Sequence, residues 1–226
     1  MIKENLNEIK LNIKKACQKS NRDPKEVNII AVTKTVPTNI LQQSIPVFLD
    51  YNVTIFGENR VQEMLEKYPN IQGISWHMIG NLQRNKVKYI VDKVDMIHSL
   101  DSIKLATEIN RIAKGKDTNI LIEVNIAGEK SKHGIQPELA IQLAKDCKDL
   151  VKIKGLMTIA PFVDNPEDNR IYFKKMYEIY KDLQEIIPDV DHLSMGMTGD
   201  YEIAVEEGAT HIRIGTGIFQ KRPQSL

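Results

Sequence analysis

Cysteine is almost absent from this chain. Cys17 and Cys147 stand far apart and form no C-x-x-C pair, which excludes a disulfide framework and points to a reducing compartment. Charge of one sign is missing too: Lys and Arg number 31 against 30 Asp and Glu. With no basic run and no interleaving of basic and aromatic residues, a nucleic-acid face is not expected. No apolar run approaches the ~20 residues of a membrane span, so no membrane partner is expected. The first residues, Met1 to Leu11, are charged throughout, unlike a secretory leader. A cytoplasmic protein is expected. No linker, low-complexity run or internal repeat divides the chain.

What remains is an ordinary globular profile, 42% hydrophobic and 27% charged over 226 residues, enough for one large core. Residues 2–19 carry Ile2, Leu6, Ile9, Ile13 and Ala16 at helical spacing. An alternation follows. Strands are predicted at 28–33, 53–56, 75–79, 96–100, 119–126, 153–159, 192–195 and 211–214. Helices are predicted at 38–49, 60–68, 84–93, 102–114, 137–149, 166–187 and 199–207. Thr38 and either Asp101 or Ser102 are candidate caps, and Pro46 makes its helix irregular. About eight strands separated by helices fit a (β/α)8 TIM barrel of the α/β class. We expect one domain over 1–226, with residues 1–21 as an extra N-terminal helix packed on the barrel. A doubly wound open sheet is the alternative.

In a barrel, chemistry collects at the C-terminal strand ends. Those ends carry Lys34, Glu58 and Asn59, His77 with Asn81, Ser99, Asn125, Thr158, Ser194 to Gly196, and Arg213 to Thr216. Lys34 ends the run Asn28-Ile-Ile-Ala-Val-Thr. Either it snorkels into solvent, or it places a desolvated amine in a cavity, ready to attack a carbonyl. His77 reads equally as a hydrogen-bonded core histidine, Asn59 as a helix cap and Asn125 as a partner for loop backbone. Ser194-Met-Gly-Met-Thr-Gly199 and Arg213-Ile-Gly-Thr-Gly217 follow the last two strands. Their glycines serve tight turns, or the N–H groups of Gly196, Gly215 and Thr216 and the Ser194 and Thr216 hydroxyls converge on a phosphate. An amine on strand one beside an anion cradle on strand eight suits pyridoxal 5′-phosphate (PLP), or a sugar phosphate in a Schiff-base aldolase.

Several ordered blocks carry a resemblance. They are Ala31-Val-Thr-Lys34, Phe56-Gly-Glu-Asn-Arg-Val-Gln-Glu63, His77-Met-Ile-Gly-Asn-Leu-Gln83 and Val124-Asn-Ile-Ala-Gly-Glu-Lys-Ser-Lys132. Gly155-Leu-Met-Thr-Ile-Ala-Pro161, Ser194-Met-Gly-Met and Arg213-Ile-Gly-Thr216 complete the set. Over roughly 28–219 the chain resembles the pyridoxal phosphate homeostasis proteins, single-domain relatives of the alanine racemase N-terminal barrel. The resemblance implies PLP held as a Schiff base on Lys34. It implies phosphate contacts from Ser194, Gly215 and Thr216, with Met195 and Gly196 in the same block, and Arg213 facing the pyridine nitrogen. It places Asn59 and His77 on the cofactor side. Thr198 stands where serine is common, Gln220 where glycine is usual and Asn81 where histidine is frequent.

A guanidinium only donates, so Arg213 leaves the ring nitrogen unprotonated and the ring a weak electron sink. Racemisation needs acid/base groups on two faces, and the racemase tyrosine for the second face belongs to a further domain. The expected role is a PLP carrier with little or no turnover and no catalytic residue, PLP-dependent apoenzymes as its recipients, a monomeric state and no metal. A PLP-dependent amino-acid racemase is the alternative.

Overall fold

The structure is a computed structural model that describes residues 1–115 and 118–220. Eight parallel strands close into a barrel in sequence order. They are β1 (Asn28–Val32), β2 (Ile55–Glu58), β3 (Ser75–Met78), β4 (Met96–Leu100), β5 (Asn119–Glu123), β6 (Lys152–Met157), β7 (His192–Met197) and β8 (His211–Ile214). The helices are α1 (Ile2–Lys19), α2 (Thr38–Asp50), α3 (Val61–Lys67), α4 (Val87–Ile90), α5 (Ile103–Ala113), α6 (Ala140–Cys147), α7 (Arg170–Ile186), α8 (Tyr201–Glu206) and α9 (Thr216–Phe219). The barrel expectation holds, and the open sheet is excluded by pairing of β1 with β8, Ala31 opposite Ile214.

Helix α1 lies outside the barrel. It buries Leu6, Ile9, Ile13, Ala16 and Cys17; each large side chain removed from water stabilises the packing by about 1.5–3 kcal/mol. Asn12 Nδ2 donates to the Tyr201 hydroxyl at 3.2 Å and Asn5 Nδ2 to the Ile218 carbonyl at 2.8 Å, fixing α1 beside α8 and α9. Ser102 caps α5, its Oγ accepting from Leu105 N. Thr38 is the first residue of α2 rather than its cap, and the helix runs through Pro46. Both cysteines are buried and unpaired. Among the described residues no helix is long and apolar enough to cross a membrane.

Successive strand residues face opposite sides of the sheet, and this parity sorts the molecule. Ile29, Ala31, Phe56, Trp76, Met78, Ile97, Leu193, Met195, Ile212 and Ile214 belong to the large apolar cluster between sheet and helices. The barrel interior is different. Its apolar part includes the separate cluster of Met96, Leu121 and Met157 and Ile30, opposite Arg213. The remaining inward positions are largely polar: His77, His98, Glu123, Ser194, His211 and Arg213, all buried.

Candidate functional site

A cavity of about 620 Å³ opens at the C-terminal ends of the strands, where barrel function is expected. Lys34, Asn59, Asn81, Glu123, Lys132, Asp200, Arg213, Gly215 and Thr216 line it together with Val32, Ile79, Ala160 and Pro161. Lys34 lies past the end of β1, with Val32 below it on the same face, and its side chain is exposed toward the cavity mouth rather than sunk in an apolar wall. Because β1 and β8 are hydrogen-bonded neighbours, Lys34 and the Gly215–Thr216 segment leave the barrel side by side.

Arg213 forms part of the cavity floor and is 4% exposed. One terminal nitrogen donates to Ser194 Oγ at 2.7 Å, the other to the Thr158 carbonyl at 2.7 Å. Burial pushes the guanidinium down to about 10, while Asp200 and Glu123 hold it up; it stays a cation at neutral pH. Glu123 lines the same cavity. Burial, reinforced by Asp101 and opposed by Arg213, raises its carboxyl to about 7. The floor thus carries a permanent cation and an acid poised near neutrality.

The loops after β7 and β8 meet at the rim. Thr198 Oγ1 is 3.2 Å from Thr216 Oγ1 and accepts from Gly217 N at 3.2 Å. Asp200 braces the turn: its carboxylate accepts from Met197 N at 2.7 Å and from Asn169 Nδ2 at 2.9 Å. Thr198, Gly199, Gly215 and Thr216 therefore line the same cavity as Lys34. Uncharged donors of this kind suit a phosphate oxygen cluster.

Of the residues singled out in the sequence, Lys34, Asn59, Asn81, Arg213, Gly215 and Thr216 line the cavity, and Glu58, His77, Ser99, Asn125, Thr158, Ser194, Met195 and Gly196 do not. Ser194 lies one layer deeper, wholly buried beneath Arg213. Met195 has the opposite parity and packs with the outer core. Gly196 turns the chain toward α8, where an added Cβ would lie 2.5 Å from the Ala204 side chain. His77 is buried with Nδ1 3.0 Å from His98 Nε2; burial, aided by His192, lowers it to about 3, so it stays a neutral core histidine. Asn59 does not cap α3, which starts from Arg60 without a side-chain cap. Asn125 satisfies loop backbone at Glu129, as one of its two readings expected. Glu123, Thr198, Gly199 and Asp200 were not among the expected site residues. In the sequence Thr198 stands out only by its departure from the family pattern.

The chemistry of the donor set fits PLP: a primary amine near one end, hydroxyl and backbone donors near the other, a cation on the floor and an apolar wall. The sequence pattern of the alanine racemase N-terminal domain matches residues 5–223. A relative from Aquifex aeolicus named pyridoxal phosphate homeostasis protein is 43% identical and covers 97% of both chains. One of the same name from Haemophilus influenzae is 40% identical, covering 99% of this chain and 97% of its own. The solved structure of PipY from Synechococcus elongatus with PLP bound matches with a TM-score of 0.79 at 30% identity, covering 97% of this chain and all of that one. An alanine racemase of Clostridium difficile, 17% identical, shares the fold with a TM-score of 0.72 over 98% of this chain and 58% of its own. By sequence and by barrel alike, the chain belongs to the alanine racemase N-terminal domain family.

Proposed function

We propose that this protein binds PLP in the cavity above Arg213, with Lys34 as the residue that carries it, and serves PLP homeostasis with little or no turnover. The observation that carries the reading is the shared cavity: Lys34 opens into the same space as Thr198, Gly215 and Thr216. Bound there, PLP supplies an aldehyde that a primary amine takes up with loss of one water. Thr216, Gly215, Thr198 and Gly199 would hold the phosphate, and Val32, Ile79 and Pro161 would shield the ring from water. Arg213, anchored on Ser194 and the Thr158 carbonyl, can only donate to a ring nitrogen and gives it no proton. That side chain withholds the acidic partner on which broad amino-acid chemistry relies. Ser194 supports the floor from below. On this reading the protein acts as a cytoplasmic monomer and passes its ligand to PLP-dependent apoenzymes.

Incubation with PLP, borohydride reduction and peptide mapping test the assignment. The label is expected on Lys34, and Lys34→Ala is expected to stay colourless. A label on Lys132, or on any other lysine in place of Lys34, sinks it.

A further inference from the structure

The chain on both sides of Lys34 is tied to α3 by charged groups on the outer face of the barrel. Parity turns Thr33 away from the cavity, and its Oγ1 donates to Glu58 Oε1 at 2.6 Å. Lys67, from the last turn of α3, is 4% exposed. Its Nζ donates to the same Glu58 oxygen at 2.6 Å and to the Thr33 carbonyl at 2.8 Å. One turn back, Glu63 Oε2 accepts from Thr35 N at 2.8 Å and lies 3.9 Å from Lys67 Nζ. Thr35 has a φ of +62°, which a β-branched residue rarely adopts and which persists only where surrounding contacts over-determine it. Packing alone does not call for a lysine here, since apolar residues replace a buried ion pair without loss in many proteins. What this lysine adds is a bond to the carbonyl just before Lys34.

We propose that Lys67, Glu58 and Glu63 position Lys34: they lock the Thr33–Thr35 backbone so that the Lys34 amine keeps its place over the cavity, and they thereby set how slowly PLP is released. This rests on Lys34 being the PLP carrier. None of the three residues lines the cavity; they act through the backbone.

Glu63→Ala is the primary test, because Lys67 keeps Glu58 as its partner and Glu63 is already 21% exposed. In the unloaded protein, amide hydrogen exchange at Thr35 is expected to accelerate on the order of tenfold, the scale of one hydrogen bond to a charged group. In the loaded protein, release of PLP to an excess of an aminooxy reagent is expected to quicken by a similar factor, roughly tenfold. The melting temperature should scarcely move. Glu63→Gln, which keeps an acceptor oxygen, is expected to restore both rates. Glu58→Gln combined with Lys67→Met removes both buried charges together and is expected to behave like Glu63→Ala should that variant fold poorly. A label on Lys34 with wild-type release from Glu63→Ala and from the double variant overturns this proposal alone. A label elsewhere overturns it together with the carrier assignment.

Discussion

Glu123 shows how much of a site a misjudged strand end conceals. The apolar run from Asn119 extends on paper to Ile126, so Asn125 reads as the strand-end residue. The strand stops at Glu123, because Asn125 N turns to the Ile135 carbonyl and its side chain to Glu129. Glu123 and Asn125 share a face, so the earlier end of the strand moves the cavity's strand-end residue one layer down, from Asn125 to Glu123. Lys34, Asn59, Arg213, Gly215 and Thr216 were legible because glycines and short apolar runs marked their strand ends; Glu123 had no such marker. Its raised carboxyl has a consequence for stability. A carboxyl that titrates at about 7 in the fold and near 4.5 in the unfolded chain keeps the folded state's full stability only below the lower value. Stability is then lost as pH rises through about 7, by on the order of 3 kcal/mol in total. Glu123→Gln removes that loss. Thermal melts of unloaded protein should show the variant's advantage growing between about pH 5 and about pH 8. An equal difference at both would mean that the carboxyl ionises like an exposed one.

At the level of elements, the strand containing Gly155 was legible but the reason for its glycine was not. Between β5 and β6 the register steps from Ile120 opposite Ile153 to Leu121 opposite Gly155. That bulge sets Gly155 at φ +154°, where an added Cβ would fall 1.7 Å from the His192 carbonyl oxygen. Backbone cannot yield as a flexible side chain does, so Gly155→Ala is expected to lower stability by about 3 kcal/mol or more, read as a reduced urea midpoint. Gln220 is the converse case. The family resemblance leads one to expect glycine there, and the backbone, with φ 58° and ψ −178°, lies in a region that essentially only glycine occupies. Strain of roughly 1–3 kcal/mol set against glycine's entropy cost of about 0.5–1 kcal/mol favours the change. Gln220→Gly is expected to raise the urea midpoint by the equivalent of about 1 kcal/mol; a fall would show that the glutamine side chain makes a compensating contact.

At the scale of the whole molecule, closure of the barrel was the most legible feature. It rests on eight alternations rather than on any one boundary, and it alone makes β1 and β8 neighbours. The same closure decides what the cavity can do to an amino acid. Proton exchange at an α-carbon with inversion needs a donor and an acceptor on opposite faces. Lys34 stands on one side, and no tyrosine lines the cavity among the described residues. The loop after β6 contributes Ile159, Ala160, Pro161, Phe162 and Val163, which carry no titratable side chain. Lys132 is held by the Ala160 carbonyl at 3.0 Å and by Glu129, and His133 Nδ1 by Asn81 Nδ2 at 2.8 Å. With those groups engaged, Glu123 on the floor is the lining carboxyl that titrates near neutrality, but Arg213 gives a ring nitrogen no proton and so leaves the ring a weak electron sink. Loaded protein incubated with L-alanine in heavy water is therefore expected to exchange the α-hydrogen no faster than free PLP at the same concentration. Proton NMR of the alanine signal reads this directly. Exchange far above that background, abolished in Lys34→Ala, would reveal a second proton-transfer group in the cavity and turn a carrier into a racemase.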